Sequence, residues 1–315
     1  MKVINIIKSN IVLIVLVAMV IFMASYKNVF ISFTNIINIL TQISIYGVVA
    51  YAMTFAIICG EFDLSVSSVF AFSSISFIYF SSIMGVIPSF IIVVLIGAAI
   101  GSINGLLVSK VKISAFIVTM ATMVTIKGLA LFVTDGKPIR NNADIIYKIG
   151  NGTIFNIPYI VILFFVVLIL SELILRKTSF GRNIYATGGN YTVAKMAGIN
   201  VVFYKTIVFV ILGSLAALQG SMLACRMGSG SALFGGDLAL SVVAAVVIGG
   251  TNLTGGRGSA VKTFLGMLVI GVMFNALTLL KVTAYYQDII KGVVLIAVVS
   301  FDSLAIISRN KLKGA

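Results

Sequence analysis

Apolar runs close to twenty residues long recur through almost the whole chain, and nothing constrains its fold more. A bilayer core about 30 Å thick needs about 20 apolar residues per helix at about 1.5 Å each. Ten segments approach that length, roughly 6–25, 36–59, 64–84, 87–109, 113–134, 158–175, 206–227, 239–254, 261–280 and 287–307. The third carries Ser73, Ser74, Ser76, Ser81 and Ser82, and the eighth is short and runs into Gly249-Gly250 and Gly255-Gly256, so these two are the weakest spans by composition. With 60% apolar and 10% charged residues, the chain has more apolar surface than a soluble core hides, and its solvent is lipid. The expected fold class is all-α: a polytopic membrane protein of about ten transmembrane helices in a single domain, 1–315.

The first segment follows Lys2 and Lys8 and resembles a signal peptide, but its cleavage pattern is poor and its apolar run extends towards spanning length. It reads as a retained first helix. With the N-terminus inside, the inner connections hold Lys2, Lys8, Lys110, Lys112, Arg176, Lys177, Arg182, Lys195, Lys205, Arg257, Lys262, Arg309, Lys311 and Lys313, which is 14 of the 22 basic residues. An even span count puts both basic termini on that cytoplasmic side. The net charge of +14 therefore belongs to the positive-inside bias rather than to nucleic-acid binding. Tyr26, Tyr147, Tyr159 and Tyr285 are the interfacial anchors in a chain without Trp.

Several chemistries are excluded. The chain has no His, so a His-based triad or metal cluster is impossible, and Cys59 and Cys225 have no CxxC partner. The nearest Gly-Lys, Gly136-Lys137, is followed by Pro138, so there is no phosphate-binding loop. No paired acids suited to an intramembrane enzyme occur outside Glu61/Asp63.

A weak internal repeat divides the chain into halves, about 1–134 and about 158–307. Gly60-Glu61-Phe62-Asp63-Leu64-Ser65-Val66 echoes Gly235-Gly236-Asp237-Leu238-Ala239-Leu240-Ser241-Val242. GAAIGSINGLLVSKVKISAF from Gly97 echoes GMLVIGVMFNALTLLKVTAY from Gly266, each with an Asn, Asn104 or Asn275. Two five-helix halves of odd span number are inverted relative to one another, which suits a path between them; chance likeness of two Gly-rich helices is the alternative. The loop Asp135–Ile157 reads as solvated turns or as part of an outer docking face.

The longest polar interruption of the second half, Arg176–Lys205, carries five basic residues and no acid. Asn190 caps a short helix, about Tyr191 to Ala197, and Gly198 ends it in a left-handed turn. A rigid inner helix joined directly to spans can transmit displacement to them. It can also be a plain connector.

The run Phe180-Gly181-Arg182-Asn183-Ile184-Tyr185-Ala186-Thr187-Gly188-Gly189-Asn190, then Ala194-Lys195-Met196-Ala197-Gly198-Ile199-Asn200-Val201, resembles the cytoplasmic loop of sugar ABC importer permeases of the ribose/xylose/galactose type. Gly60–Val66 is similar to that family's Gly-x-Asp-Leu-Ser-Val-Gly signature, Ala244–Gly258 to its glycine-rich block, and Tyr285–Gly292 to the opening of its last helix. The blocks run from about residue 38 to 303. The family usually has Gly where Ser67 stands and an acid where Tyr191 stands.

The resemblance implies a non-catalytic permease subunit importing a monosaccharide, ribose first, across the plasma or inner membrane. It implies ABC ATPase subunits docking at residues 188–201, through Gly188, Gly189, Asn190, Ala194, Lys195, Met196, Gly198 and Ile199. ATP and Mg would be bound by those ATPase partners and no cofactor by this chain. It also implies an extracytoplasmic sugar-binding protein and a second permease copy. An ion-coupled secondary transporter acting alone is the alternative function, since the inverted repeat allows it too.

A charge at a helix centre costs about 2.5–3.5 kcal/mol on insertion scales, so Asp63, Lys127, Arg226, Asp237, Asp288 and Lys291 are expected to face protein or water. Asp288 and Lys291, three apart, can neutralise each other. Asp63 and Asp237 can cap helix starts. Together with Asn104 and Asn275 they are also the candidates for lining a hydrated path. The glycines of the segments around Gly97, Gly249 and Gly266 read as close helix packing.

Overall fold

A computed structural model describes residues 11–296 apart from 284 and 295. Among the described residues, seven helices are long and apolar enough to cross a membrane. They are α2 (Phe33–Ile58), α3 (Val66–Met84), α4 (Val86–Ser109), α5 (Ala115–Thr134), α7 (Tyr159–Lys177), α10 (Val201–Met227) and α12 (Ala260–Leu279). α1 (Ile11–Tyr26) precedes them, and residues 285–294 are helical after them. The tenth expected segment, 287–307, thus lies partly outside the described residues.

The third expected segment is a full-length helix despite its serines. Ser68, Ser74, Ser81 and Ser82 each donate a hydroxyl to a carbonyl three residues back, so they place no unpaired donor in the bilayer. The eighth does not reach spanning length. α11 (Leu238–Ile248) has 11 residues, about 16 Å of rise, or half a bilayer core. The chain before it dips into the bundle instead: β4 (Ser229–Gly230) pairs with β1 (Ile139–Arg140), and Ser231 N–H donates to Ser74 Oγ in the middle of α3 at 3.2 Å. The start of α11 is then held by Ser67, whose Oγ accepts from Ala239 N–H at 2.9 Å. The Ser67 hydroxyl thus ties α3 to α11.

α2 and α10 form the centre. From Val48 to Ile58 every residue of α2 is buried, and so are Leu212, Ala216, Ala217 and Gly220 of α10. α4 lies along α10 on a stripe of glycines four apart, where a Cβ on Gly105 would sit 2.8 Å from Thr206 Cα. Such stripes let backbones approach where lipid supplies no hydrophobic drive. α12 lies along α2, with Gly271 against the Ile43 side chain, and along α11, with Gly266 against the Ala245 carbonyl.

The loop Asp135–Ile157 is folded rather than open. α6 (Asp144–Asn151) rests on the end of α10, with Gly150 against the backbone of Cys225 and Arg226. A hairpin of β2 (Thr153–Ile154) and β3 (Ile157–Pro158) follows, turning through Phe155 and Asn156 at φ +50° and +63°.

Candidate functional site

The polar stretch at one end of the bundle folds into two short helices fixed by three side-chain caps. Thr178 Oγ1 accepts from Gly181 N–H at 3.1 Å and starts α8 (Ser179–Gly189). Asn190 Oδ1 accepts from Val193 N–H at 3.1 Å and starts α9 (Tyr191–Met196). Asn200 Oδ1 accepts from Phe203 N–H at 3.1 Å and starts α10. α9 ends with Gly198 at φ +80°, Ile199 N–H donating to Ala194 O and Gly198 N–H to Lys195 O, both at 3.1 Å. That paired closure needs a left-handed residue, which glycine adopts without a Cβ clash. The sequence predicts α9 and its caps but not α8, whose signal in the residues is the Thr178–Gly181 capping spacing; the structure buries its Ile184 and Thr187.

α8 is welded to the spans through backbone. Gly188 lies on the last turn of α2: a Cβ there would sit 2.8 Å from the Cys59 carbonyl carbon and closer still to Ile58 O. Ile58 O also accepts from Gly256 N–H at 2.8 Å. Gly255, at φ +85°, packs so closely that a Cβ would fall 2.7 Å from Gly188 O and 3.1 Å from Gly60 Cα. Three connections distant in sequence therefore meet at Gly60, Gly188 and Gly255: α2–α3, α8–α9 and α11–α12. Tyr185 Oη adds a bond to Gly258 O at 2.7 Å, and Asn183 Nδ2 one to Tyr204 Oη at 2.6 Å. Burial raises the Tyr185 hydroxyl, with the nearby Glu172 carboxylate adding to the effect.

The outer surface of this unit has a different character. Of the residues expected in it, Ala194 is buried, Ile199 half-buried, and Lys195 and Met196 exposed, Met196 at 83%. Val193, three residues before Met196, is also exposed, so α9 presents an apolar edge, with Lys195 exposed on the same helix. Behind α9, Lys205 pairs with Glu61 of the α2–α3 connection, and its ammonium lies 5.7 Å from the Tyr191 ring. A cavity of about 450 Å³ opens between Glu61, Lys112, Ser114, Tyr191 and Lys205.

The four path candidates part company. Asp63 Oδ1 accepts from Ser65 N–H at 2.7 Å and Ser65 Oγ at 2.6 Å; Asn104 Nδ2 donates to Ser65 Oγ at 3.0 Å, and Thr122 Oγ1 donates to Asn104 Oδ1 at 2.7 Å. Burial pushes the Asp63 carboxyl up to about 6, with the Ser65 and Asn104 bonds acting against it. This closed network joins the α2–α3 connection to α4 and α5 and leaves Asp63 and Asn104 buried. Neither Asp63 nor Asp237 caps the following helix through its side chain. Asn275 exchanges two amide bonds with Asn35 of α2, at 3.0 and 2.9 Å.

Asp237 instead pairs with Lys291, and Ser241 Oγ donates to its Oδ2 at 3.3 Å. That pairing corrects the expectation that Lys291 is neutralised by Asp288. On one helix the two are neighbours, but the packing delivers Asp237 to Lys291 from another element.

Compared with known proteins, the chain matches the family model described as branched-chain amino acid transport system / permease component over residues 35–299. It is 39% identical over 303 residues to the ribose import permease protein RbsC of Haemophilus influenzae, covering 94% of this chain and 92% of that protein. It is 39% identical over 274 residues to ribose import permease protein RbsC of Bacillus subtilis, with 85% and 84% covered. To the L-arabinose transport system permease protein AraH of Escherichia coli it is 36% identical over 281 residues, with 87% and 84% covered. No solved structure matches the chain with significance.

Proposed function

The chain belongs to the family of branched-chain amino acid transport system permease components, and on that premise we propose that it is the membrane subunit of an ATP-driven importer of a monosaccharide. The relatives named for ribose and L-arabinose, rather than the amino acids of the family's description, support a pentose as the cargo.

The observation that carries this reading is the α8–α9 unit. It is joined to the end of α2 and to the α11–α12 connection by backbone contact, and it offers Val193 and Met196 to the outside. A unit so held cannot move without moving the spans, because packed interiors transmit displacement rather than absorb it. ATPase subunits docking at residues 188–201 would drive it, and those subunits rather than this chain would hold ATP and Mg²⁺. A sugar-binding protein would deliver cargo at the opposite face, and a second permease copy would complete the path.

The positive-inside bias puts α8–α9, and with it both termini, in the cytoplasm. Ten crossings result when the dipping segment and α11 together count as one pass. The placement of α4 on α10 and of α12 on α2 is the exchange that two inverted halves produce, and it supports that symmetry.

The test is uptake of D-ribose into proteoliposomes holding the permease with its binding protein, with and without the co-purified ATPase. Uptake that needs the ATPase and ATP is expected. Uptake driven by a sodium or proton gradient with no ATPase present overturns the proposal.

A further inference from the structure

We infer that the cavity enclosed by α2, α11, α12 and residues 285–294 is a site where a neutral sugar is held partway across the membrane. The inference rests on the sugar-permease reading and adds to it the location and chemistry of the passage. The cavity has a volume of about 210 Å³, sized for one small ring and below the roughly 300–1,000 Å³ of drug-sized sites. Gln42, Tyr46, Ser241, Phe274, Gln287 and Lys291 line it.

Depth is the first reason. Gln42 and Tyr46 stand about 14 and 20 Å along α2 from Phe33, within the thickness that lipid tails occupy. Gln42 and Asp288 are nevertheless exposed, and Lys291 is only half-buried. Polar groups at that depth are not left against hydrocarbon, so this face meets water.

Chemistry is the second. Two planar amides, each both donor and acceptor, a serine hydroxyl and an aromatic wall match the alternating hydroxyl and C–H surface of a sugar. The Lys291–Asp237 ion pair cancels its own charge, and Lys291 sits 5.1 Å from the Phe274 ring. Asp288 then leaves the rim acidic, which disfavours phosphorylated sugars.

Elimination is the third. Asp63 and Asn104 are consumed by a closed network and Asn275 by Asn35, so of the four polar path candidates only Asp237 reaches this cavity, through Lys291 and Ser241.

The experiment uses the complete importer in proteoliposomes. Cys59 and Cys225 are buried, so background labelling is low. Gln42→Cys and Gln287→Cys are expected to react with a charged methanethiosulfonate at least tenfold faster than Leu95→Cys, which is exposed on apolar α4, and D-ribose presented by its binding protein is expected to slow them. Gln42→Ala and Gln287→Ala are expected to lower maximal ribose uptake about tenfold each, the effect of one lost hydrogen bond, with ATP hydrolysis still stimulated.

Cavity cysteines as slow as Leu95→Cys, the result if lipid or a second copy covers this face, overturn the inference alone. So does unchanged ribose uptake in both alanine variants. A wild-type importer that moves neither ribose nor L-arabinose overturns the pentose reading on which the inference rests.

Discussion

Replacing Gly188 by Ala perturbs the α8–α9 unit at its point of closest approach to α2. The new methyl would lie 2.8 Å from the Cys59 carbonyl carbon and inside the contact distance of Ile58 O, where ordinary contact begins at 3.4 Å. Both obstacles are backbone, so no side chain can rotate away. Relief requires α8 to lift from the end of α2. Overpacking of this kind costs about 1–3 kcal/mol, and disturbing the bond from Gly256 N–H to Ile58 O adds about 0.5–1.5 kcal/mol. The junction is therefore expected to weaken by about 2–4 kcal/mol. Gly189→Ala is the internal comparison, because a Cβ there meets only Gly256 Cα at 4.0 Å, so its stability change is expected to stay within about 0.5 kcal/mol. The assay pairs thermal unfolding of the purified permease with stimulation of its ATPase by loaded binding protein. Gly188→Ala should lower the midpoint and abolish stimulation while still inserting in the membrane. A Gly188→Ala protein that matches Gly189→Ala in midpoint and wild type in stimulation refutes the argument that backbone contact at this junction carries the coupling.

Three further outcomes are expected. The Asp63 carboxyl sits at about 6 against an ordinary 3.8, so the fold favours its protonated form, and its contribution to stability is lost as pH rises from below 3.8 through 6. The unfolding midpoint of the wild type relative to Asp63→Asn, which does not titrate, should fall between pH 4.5 and 7.5; a flat or rising difference contradicts the burial argument. Glu61→Gln and Lys205→Met should each destabilise by about 1–3 kcal/mol, and the double variant by clearly less than their sum, since either single change strands a partly buried charge; strict additivity in denaturant titrations would dissolve the pair. Ser67→Ala should cost about 1 kcal/mol by releasing the Ala239 amide, and Ser67→Gly at least as much, read from the same titrations.

Much of the architecture was legible in the residues alone. Spans follow from runs of apolar residues because the bilayer core has a fixed thickness, and α9 follows from Asn190 and Gly198 because a cap acts over three or four residues. The departures come from packing. Segment 239–254 is a weak span by composition, and only 11 residues are helical in α11, with the preceding chain diving in along α3 to deliver its start to Ser67. Asp288 and Lys291 are spaced to pair on one helix, yet a carboxylate from 54 residues away takes the lysine.

Hydrophobic length, charge bias and local capping are properties of neighbours in sequence, so the sequence by itself determined the membrane solvent, the helical class and the short capped helix between Asn190 and Gly198. Which glycine carries a junction, which acid is sealed in a network and which acid takes Lys291 depend on segments distant in sequence being brought within a few ångströms. Gly188 and Gly189 are the same residue in the same helix, and only the carbonyl of Ile58 lying against one of them tells them apart. Contact of that kind is settled by the packing of α2, α8 and the α11–α12 connection together, and so by tertiary structure alone.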